Sequence, residues 1–263
     1  MKAMIFAAGL GTRLKPITDT LPKAMVPLCG KPLIEHVSRR LMTFGIDEVV
    51  VNVHHFADTI EAWVAEKEWI CTDPSCKGTG MLLVQVSDER KLLLETGGAV
   101  LHARRYLEGC GHFLIHNVDI LSDCDLRWFA SQVREDALAT LLVSERKSTR
   151  YLLFNPQTMR LEGWVNEKTG ETRLAGRYVD ESKCLRLAFS GIHIMSDQVP
   201  AVMENYAMTH GLYIASDTPR FSVIDFYLDM CHLYKIYGVK AENLNLIDVG
   251  KMDTLEQAEA ALR

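Results

Sequence analysis

The stretch Ala7-Ala8-Gly9-Leu10-Gly11-Thr12-Arg13-Leu14-Lys15-Pro16-Ile17-Thr18-Asp19-Thr20-Leu21-Pro22-Lys23 follows directly on an apolar run, Ala3-Met4-Ile5-Phe6. A short buried strand giving way to glycines is the opening of a βαβ unit, and glycines at that point let backbone N–H groups approach a phosphate. The third glycine of a dinucleotide fingerprint is missing, since Leu14 stands in its place, and no Gly-Lys-Ser/Thr closes a Walker A loop. What the stretch offers instead is Arg13 just after the glycines and Lys23 at the end of a turn punctuated by Pro16 and Pro22. Glycines after a first strand are by themselves only a tight turn. A guanidinium fork and a compact ammonium added to them suit a triphosphate, and in a loop punctuated this way they are expected to act on phosphate and not on folding.

Outward from this loop, strand-like apolar runs alternate with helix-period segments, the pattern of βαβ units. Pro32 opens a helix with Ile34, Val37, Leu41 and Phe44 on one face, and Gly45 stops it. Strands are predicted at 48–53, 81–86, 112–118, 138–143, 185–195 and 243–247. Helices are predicted at 58–67, with Ile60, Trp63 and Val64 inward, from Gly97, at 125–135, at 222–235 with Val223, Phe226, Met230 and Leu233 on one stripe, and at 253–262. Residues 151–177 differ: turn signals at Asn155-Pro156 and Thr169-Gly170 break short strand-like pieces, as in an antiparallel excursion. The expected fold is α/β, a doubly wound, mostly parallel, Rossmann-like sheet with a small antiparallel β appendage, one domain over 1–263. No hexapeptide repeat occurs, so no C-terminal β-helix is expected.

The 29 Lys+Arg against 34 Asp+Glu give a net charge of −5, so the chain has no general attraction for nucleic acid or anionic membranes, and a phosphate must be met by a local cluster. No apolar stretch approaches the roughly 20 residues of a membrane helix. A strand begins at once after Met1, leaving no room for a signal peptide, and a cytoplasmic protein is expected. Seven cysteines, an odd number, read as reduced thiols; Cys71 and Cys76 could be half a zinc site but lack partners, and an exposed turn at Asp73-Pro74 is the plainer reading.

Asp119 and Asp248 each end a predicted strand, where open parallel sheets bind ligands. Two carboxylates completed by phosphate oxygens and water make an oxygen-only magnesium site, although a single Asp at such a place is more often a cap or turn residue. Asp123 and Asp125 imitate the D-x-D of metal-dependent glycosyltransferases but directly precede a helix, so capping accounts for them. His54, His55 and His116 read as structural, Ser190 lacks a base and a flanking glycine as a nucleophile would need, and Tyr234, Tyr237 and Trp164 read as packing.

The run G-x-G-T-R-L-x-P-x-T-x-x-x-P-K from Gly9 to Lys23 resembles the signature of the sugar-1-phosphate nucleotidylyltransferases, whose fold is related to that of GT-A glycosyltransferases. Glu95-Thr96-Gly97-Gly98-Ala99, Asn117-Val118-Asp119, Phe189-Ser190-Gly191-Ile192 and Ile247-Asp248-Val249-Gly250 follow in the family's order. The resemblance implies transfer of a nucleotidyl group from an NTP to a sugar 1-phosphate, with Mg2+ as cofactor and release of pyrophosphate. It implies Ala8, Gly9 and Gly11 as backbone contacts to the nucleotide, Arg13 on the β- and γ-phosphates, and Lys23 near the α-phosphate. Glu95, Gly97 and Gly98 would line the base pocket, Asn117, Ser190 and Gly191 would face the sugar, and Asp119 and Asp248 would hold the metal. The compact length and the E-T-G-G segment are most similar to the branch that uridylylates N-acetylmuramate 1-phosphate, which favours UTP; mannose- and heptose-1-phosphate guanylyltransferases are also similar. Val118 replaces a common glycine, Lys251 a common threonine, and no E-K-P triplet precedes Phe189, which leaves open the cation that meets the sugar phosphate. The readings from another class are a glycosyltransferase centred on Asp123 and Asp125 and a non-catalytic sugar-nucleotide sensor.

Overall fold

β1 (Lys2–Phe6) is the strand from which the architecture is built, with Ala3, Met4 and Ile5 wholly buried. The structure is a computed structural model that describes residues 1–67, 80–176, 178–215 and 218–262; Cys71, Cys76 and the turn expected between them lie outside the described residues. From β1 the glycine loop passes through three single turns of 3-10 helix and a two-residue hairpin, β2 (Pro27–Leu28) and β3 (Lys31–Pro32), into α1 (Leu33–Thr43). There follow β4 (Glu48–Val53), α2 (Ala57–Glu66), β5 (Leu83–Asp88), α3 (Glu95–His102), α4 (Arg104–Leu107), β6 (His112–Asn117), β7 (Ile120–Ser122) and α5 (Leu126–Ser131). β8 (Ala139–Ser144), β9 (Arg150–Phe154), β10 (Leu161–Asn166), β11 (Glu171–Leu174) and β12 (Leu185–Ser196) come next. The order ends with α6 (Val199–Thr209), β13 (Tyr213–Ala215), β14 (Thr218–Pro219), α7 (Val223–Met230), β15 (Ile236–Lys240), β16 (Leu246–Asp248) and α8 (Met252–Leu262).

β5, β4, β1 and β6 are parallel neighbours, and β15 lies parallel to β8. β12 joins the two groups by pairing antiparallel with both β6 and β8. This is the mostly parallel α/β sheet that the alternation predicts. β9, β10 and β11 extend it from β12 as an antiparallel meander, the expected appendage. Both faces of the sheet are covered, which is why its strands read as continuous apolar runs. Ala3 and Ile5 of β1 pack with Leu33, Ile34, Val37 and Leu41 of α1, Ile60 of α2 and Ala258 of α8. Met4, between them, points to the opposite layer of α3, α6 and α7, with Val100, Met203, Phe226 and Tyr227. Each fully buried Val, Leu, Ile, Met or Phe among them stabilises the fold by about 1.5–3 kcal/mol.

Several expected bounds change: the strand expected at 243–247 is confined to Leu246–Asp248 and the helix expected at 125–135 to Leu126–Ser131. The helix over 222–235 ends at Met230, and Leu233, expected on its inner stripe, is 66% exposed. The chain has to leave the helix there because Lys235 already accepts a backbone bond from Leu138 and β15 pairs with β8. α6 carries no expectation from the sequence at all.

Candidate active site

The carboxyl ends of β1, β4 and β6 open on a cavity of about 400 Å3 lined by Phe6, Ala8, Gly9, Lys23, Asn52, Leu93, Glu95, Thr96, Asn117, Asp119 and Ser222. The glycine loop is folded on itself beside it. Gly11 has φ +64, and a Cβ there would sit 2.8 Å from Thr18 Cγ2 and 3.1 Å from Lys23 Cβ, so no side chain fits. The Thr18 hydroxyl and the Leu14 N–H both donate to the Gly11 carbonyl at 2.8 Å. This closure carries Lys23 to the cavity wall. Gly9 has no such constraint, since its nearest neighbour would be Lys23 Cδ at 3.9 Å; the space beside it is open.

The two expected metal carboxylates meet through strand pairing. β16 runs antiparallel to β7, placing Asp248 opposite Ile120, and the Val249 N–H donates to the Asp119 carbonyl at 2.9 Å. A Cβ on Gly250 would lie 2.7 Å from Arg13 Nη2, 2.7 Å from Asp248 Oδ1 and 3.1 Å from Asp119 Oδ2. Three of the expected site side chains thus converge on one point, and a larger residue than glycine at 250 would displace them. Lys23 forms an ion pair with Asp119 Oδ2, the two side chains being only 13% and 11% exposed. Asp248 Oδ1 also accepts the Gly250 N–H at 2.9 Å. Arg13, Lys23, Asp119 and Asp248 therefore form one cluster, and Lys23 and Asp119 carry it into the cavity lining.

Residues 2–153 match the family model described as Nucleotidyl transferase. The chain belongs to the nucleotidyl transferase family. It is 35% identical to the N-acetylmuramate alpha-1-phosphate uridylyltransferase of Caulobacter vibrioides over 204 residues, which cover 76% of each protein. A protein of the same description from Neisseria meningitidis is 39% identical over 126 residues, 48% of this chain and 49% of that one. Among solved structures, HddC from Yersinia pseudotuberculosis superposes with a TM-score of 0.70 at 21% identity, covering 100% of this chain and 99% of its own, and shows the same fold.

Elsewhere in this nucleotidyl transferase the expected site residues divide. Glu95, held at φ +61, lines the cavity while its carboxylate accepts from Arg220 Nε at 3.0 Å. Gly97 and Gly98 stand behind that wall: both N–H groups donate to Phe221 O, and a Cβ would lie 2.3 Å from the Phe221 ring in one case and 2.4 Å from Pro219 O in the other. Thr96, not singled out in the sequence, lines the cavity and accepts the Val223 N–H at 2.9 Å, bolting α7 to α3. Asn117 faces the cavity, and Gly191, at φ +79, makes room for it, a Cβ there falling 2.7 Å from Asn117 Nδ2. The Ser190 hydroxyl is buried and accepts the Ile192 N–H at 3.1 Å, so it is engaged inside the strand and not offered to the cavity.

Asp125 caps α5, accepting from the N–H groups of Arg127 and Trp128 at 2.8 and 3.2 Å. Asp123 does not cap. It clamps Asn245 through backbone and side-chain bonds of 3.0 and 2.6 Å, which secures the approach to β16. His116 is buried, and burial lowers it to about 4, in keeping with a neutral structural residue. A second cavity, of about 470 Å3, lies between the appendage and α7 and includes Arg150, Tyr151, Trp164, Arg173 and Phe189 in its lining; Ser222 borders both cavities. Trp164, expected only to pack, thus presents part of its surface to a cavity. Among the described residues no helix is long and apolar enough to cross a membrane.

Proposed function

We propose that the chain transfers a uridylyl group from UTP to a sugar 1-phosphate, with N-acetylmuramate 1-phosphate as the acceptor, releasing pyrophosphate. The observation that carries this reading is the convergence of Arg13, Asp119 and Asp248 on Gly250, with Lys23 paired to Asp119 at the rim of the glycine-loop cavity. The base preference and the acceptor rest on likeness to the Caulobacter vibrioides uridylyltransferase.

An acceptor phosphate oxygen attacks the α-phosphorus, and the bond from that phosphorus to the bridging oxygen breaks as pyrophosphate leaves. The nucleophile is already an anion, so no base and no covalent intermediate are required. The work lies in alignment and in neutralising repulsion. Arg13 offers its fork to the outer phosphates, and Lys23 exchanges part of its contact with Asp119 for the α-phosphate. Among the described residues no group of three or more His, Cys, Asp or Glu could hold a metal. Asp119 and Asp248 would fit magnesium as a pair: both are oxygen donors that reach one point, and phosphate oxygens and water would complete the shell. Magnesium held by them would supply positive charge to the phosphate oxygens.

The second cavity supports the acceptor half of the reading, because it adjoins the first at Ser222, and Phe189 in its lining lies two residues before Gly191, which makes room for Asn117. The glycosyltransferase reading loses its centre, since Asp123 and Asp125 are spent on a clamp and a cap. The test is pyrophosphate release with UTP or GTP against a panel of sugar 1-phosphates. Fastest turnover is expected with UTP and N-acetylmuramate 1-phosphate; equal or faster turnover with GTP would overturn the base preference, and no pyrophosphate with any pair would overturn the transfer itself.

A further inference from the structure

Asn52 stands where the parallel ladder between β1 and β4 stops, paired with Phe6. Its side chain carries the ladder one bond further. Oδ1 accepts the Ala7 N–H at 2.8 Å, and Nδ2 donates to Glu89 Oε1 at 2.9 Å. An N–H can only donate, so the amide has one orientation that serves both neighbours. Asn52 and Glu89 are each 3% exposed, and hydrogen bonds so far from water hold their geometry firmly.

Glu89 is itself fixed at the end of β5. Its N–H donates to Val53 O at 2.8 Å, and its carbonyl accepts from the Leu92 N–H at 3.0 Å and from His54 Nδ1 at 2.7 Å. Leu93 and Glu95, just beyond, line the nucleotide cavity. A carboxyl is an expensive way to fill a buried space, and Glu89 Oε2 has no hydrogen-bond partner. A leucine would fill the volume without that cost. The feature a leucine could not supply is the acceptor for Asn52.

We propose that Glu89 is a positioning residue for the nucleotide: it sets the Asn52 amide, which fixes the Ala7 N–H and with it the entry to the Ala8-Gly9 turn. The proposal rests on reading the adjoining cavity as the NTP site. Burial lifts the Glu89 carboxyl to about 7, and both its protonated and its ionised forms offer an oxygen to Asn52.

The test is UTP binding by calorimetry together with separate KM values for UTP and N-acetylmuramate 1-phosphate, on Glu89→Leu, Glu89→Gln, Asn52→Ala and the Glu89→Leu/Asn52→Ala double variant. Loss of one buried hydrogen bond of this kind should raise the UTP Kd and KM about tenfold in Glu89→Leu. The acceptor KM should stay within about twofold, which a general loosening of the fold would not respect. Glu89→Gln, which keeps the acceptor oxygen, should restore most of the affinity, and the double variant should be no worse than Asn52→Ala alone. An unchanged UTP Kd in Glu89→Leu, equal rises in both KM values, or additive losses would each overturn the proposal. Should Glu89→Leu fail to fold, a wild-type UTP Kd in Asn52→Ala overturns the proposal, and so does a UTP Kd in Glu89→Gln raised as far as in Asn52→Ala. Failure of the wild-type protein to bind UTP or any other NTP is a distinct result, and it removes the nucleotide reading of the cavity instead.

Discussion

Glu89 is a carboxyl almost wholly withdrawn from water, and its titration makes the stability of the whole chain depend on pH. Burial raises its carboxyl from 4.5 to about 7, against the opposing hydrogen bond from Asn52. Between those values the folded chain holds a proton that the unfolded chain has released, so stability falls as pH rises through this window. The loss totals ~3 kcal/mol and persists above pH 7. Glu89→Gln should flatten that slope and melt higher than wild type at pH 8, which thermal denaturation from pH 5 to 8 would read; parallel profiles for the two proteins would exclude Glu89 as the titrating group. Arg13 and Lys23, expected from the sequence to act on phosphate without touching stability, separate at this scale. Arg13 is exposed, so Arg13→Ala should cost no more than about 0.5 kcal/mol while lowering turnover. Lys23 is nearly buried against Asp119, and Lys23→Ala leaves that carboxylate unpaired, at about 1–3 kcal/mol in denaturant unfolding.

Elements were legible in the sequence where local chemistry and burial agree. The β1–loop–α1 unit, the stop at Gly45 with φ +81, and the Asp125 cap all follow from side-chain types at fixed offsets. α6 escaped because its composition gives no polar stripe to read, and Pro200, which looks like a breaker, sits at the helix start where proline is tolerated. β15 escaped because Gly238 interrupts its apolar run. The reason for that glycine lies across the fold, where a Cβ at 238 would approach the buried Phe154 ring to 2.7 Å. Gly238→Ala should therefore destabilise by about 1–3 kcal/mol through overpacking. Gly30, at φ +78 with nothing within 4 Å, offers a contrast in kind: alanine there meets backbone strain with no clash, so its cost, about 1 kcal/mol, should not change when Phe154 is shortened to leucine, whereas that of Gly238→Ala should shrink. Equal behaviour of the two glycines in that background would refute the packing account.

For the whole molecule, the decisive contact joins Asp119 to a segment close to the end of the described chain, and no local pattern announces it. The sequence shows two acids at the ends of predicted strands; only the return of β16 to β7, secured by the Asp123 clamp on Asn245, brings them to one point beside Arg13. The candidate site was therefore legible residue by residue, through Lys23, Asn117 and the two acids. Its supporting shell of Asn52, Thr96 and Ser222 was not, because these side chains acquire a role only through partners on other elements. The same geometry makes a demand on mutants. Asp248→Asn keeps an oxygen for the Gly250 N–H and Asp119→Asn keeps the side-chain shape, so both chains should fold, yet each loses a negative charge that in the proposed function would hold the cation. Turnover should drop about a hundredfold or more in either variant, the scale of losing one group that stabilises a transition state. If the two act on one ion, the double variant should be little worse than the single ones, because members of one unit fail together. Asp125→Ala, which removes only the cap of α5, should cost about 1 kcal/mol of stability and leave turnover largely intact. Pyrophosphate release measured beside denaturant unfolding compares the three, and an inactive Asp125→Ala beside active Asp119→Asn and Asp248→Asn would move the chemistry away from the Gly250 cluster to the residues that follow β7.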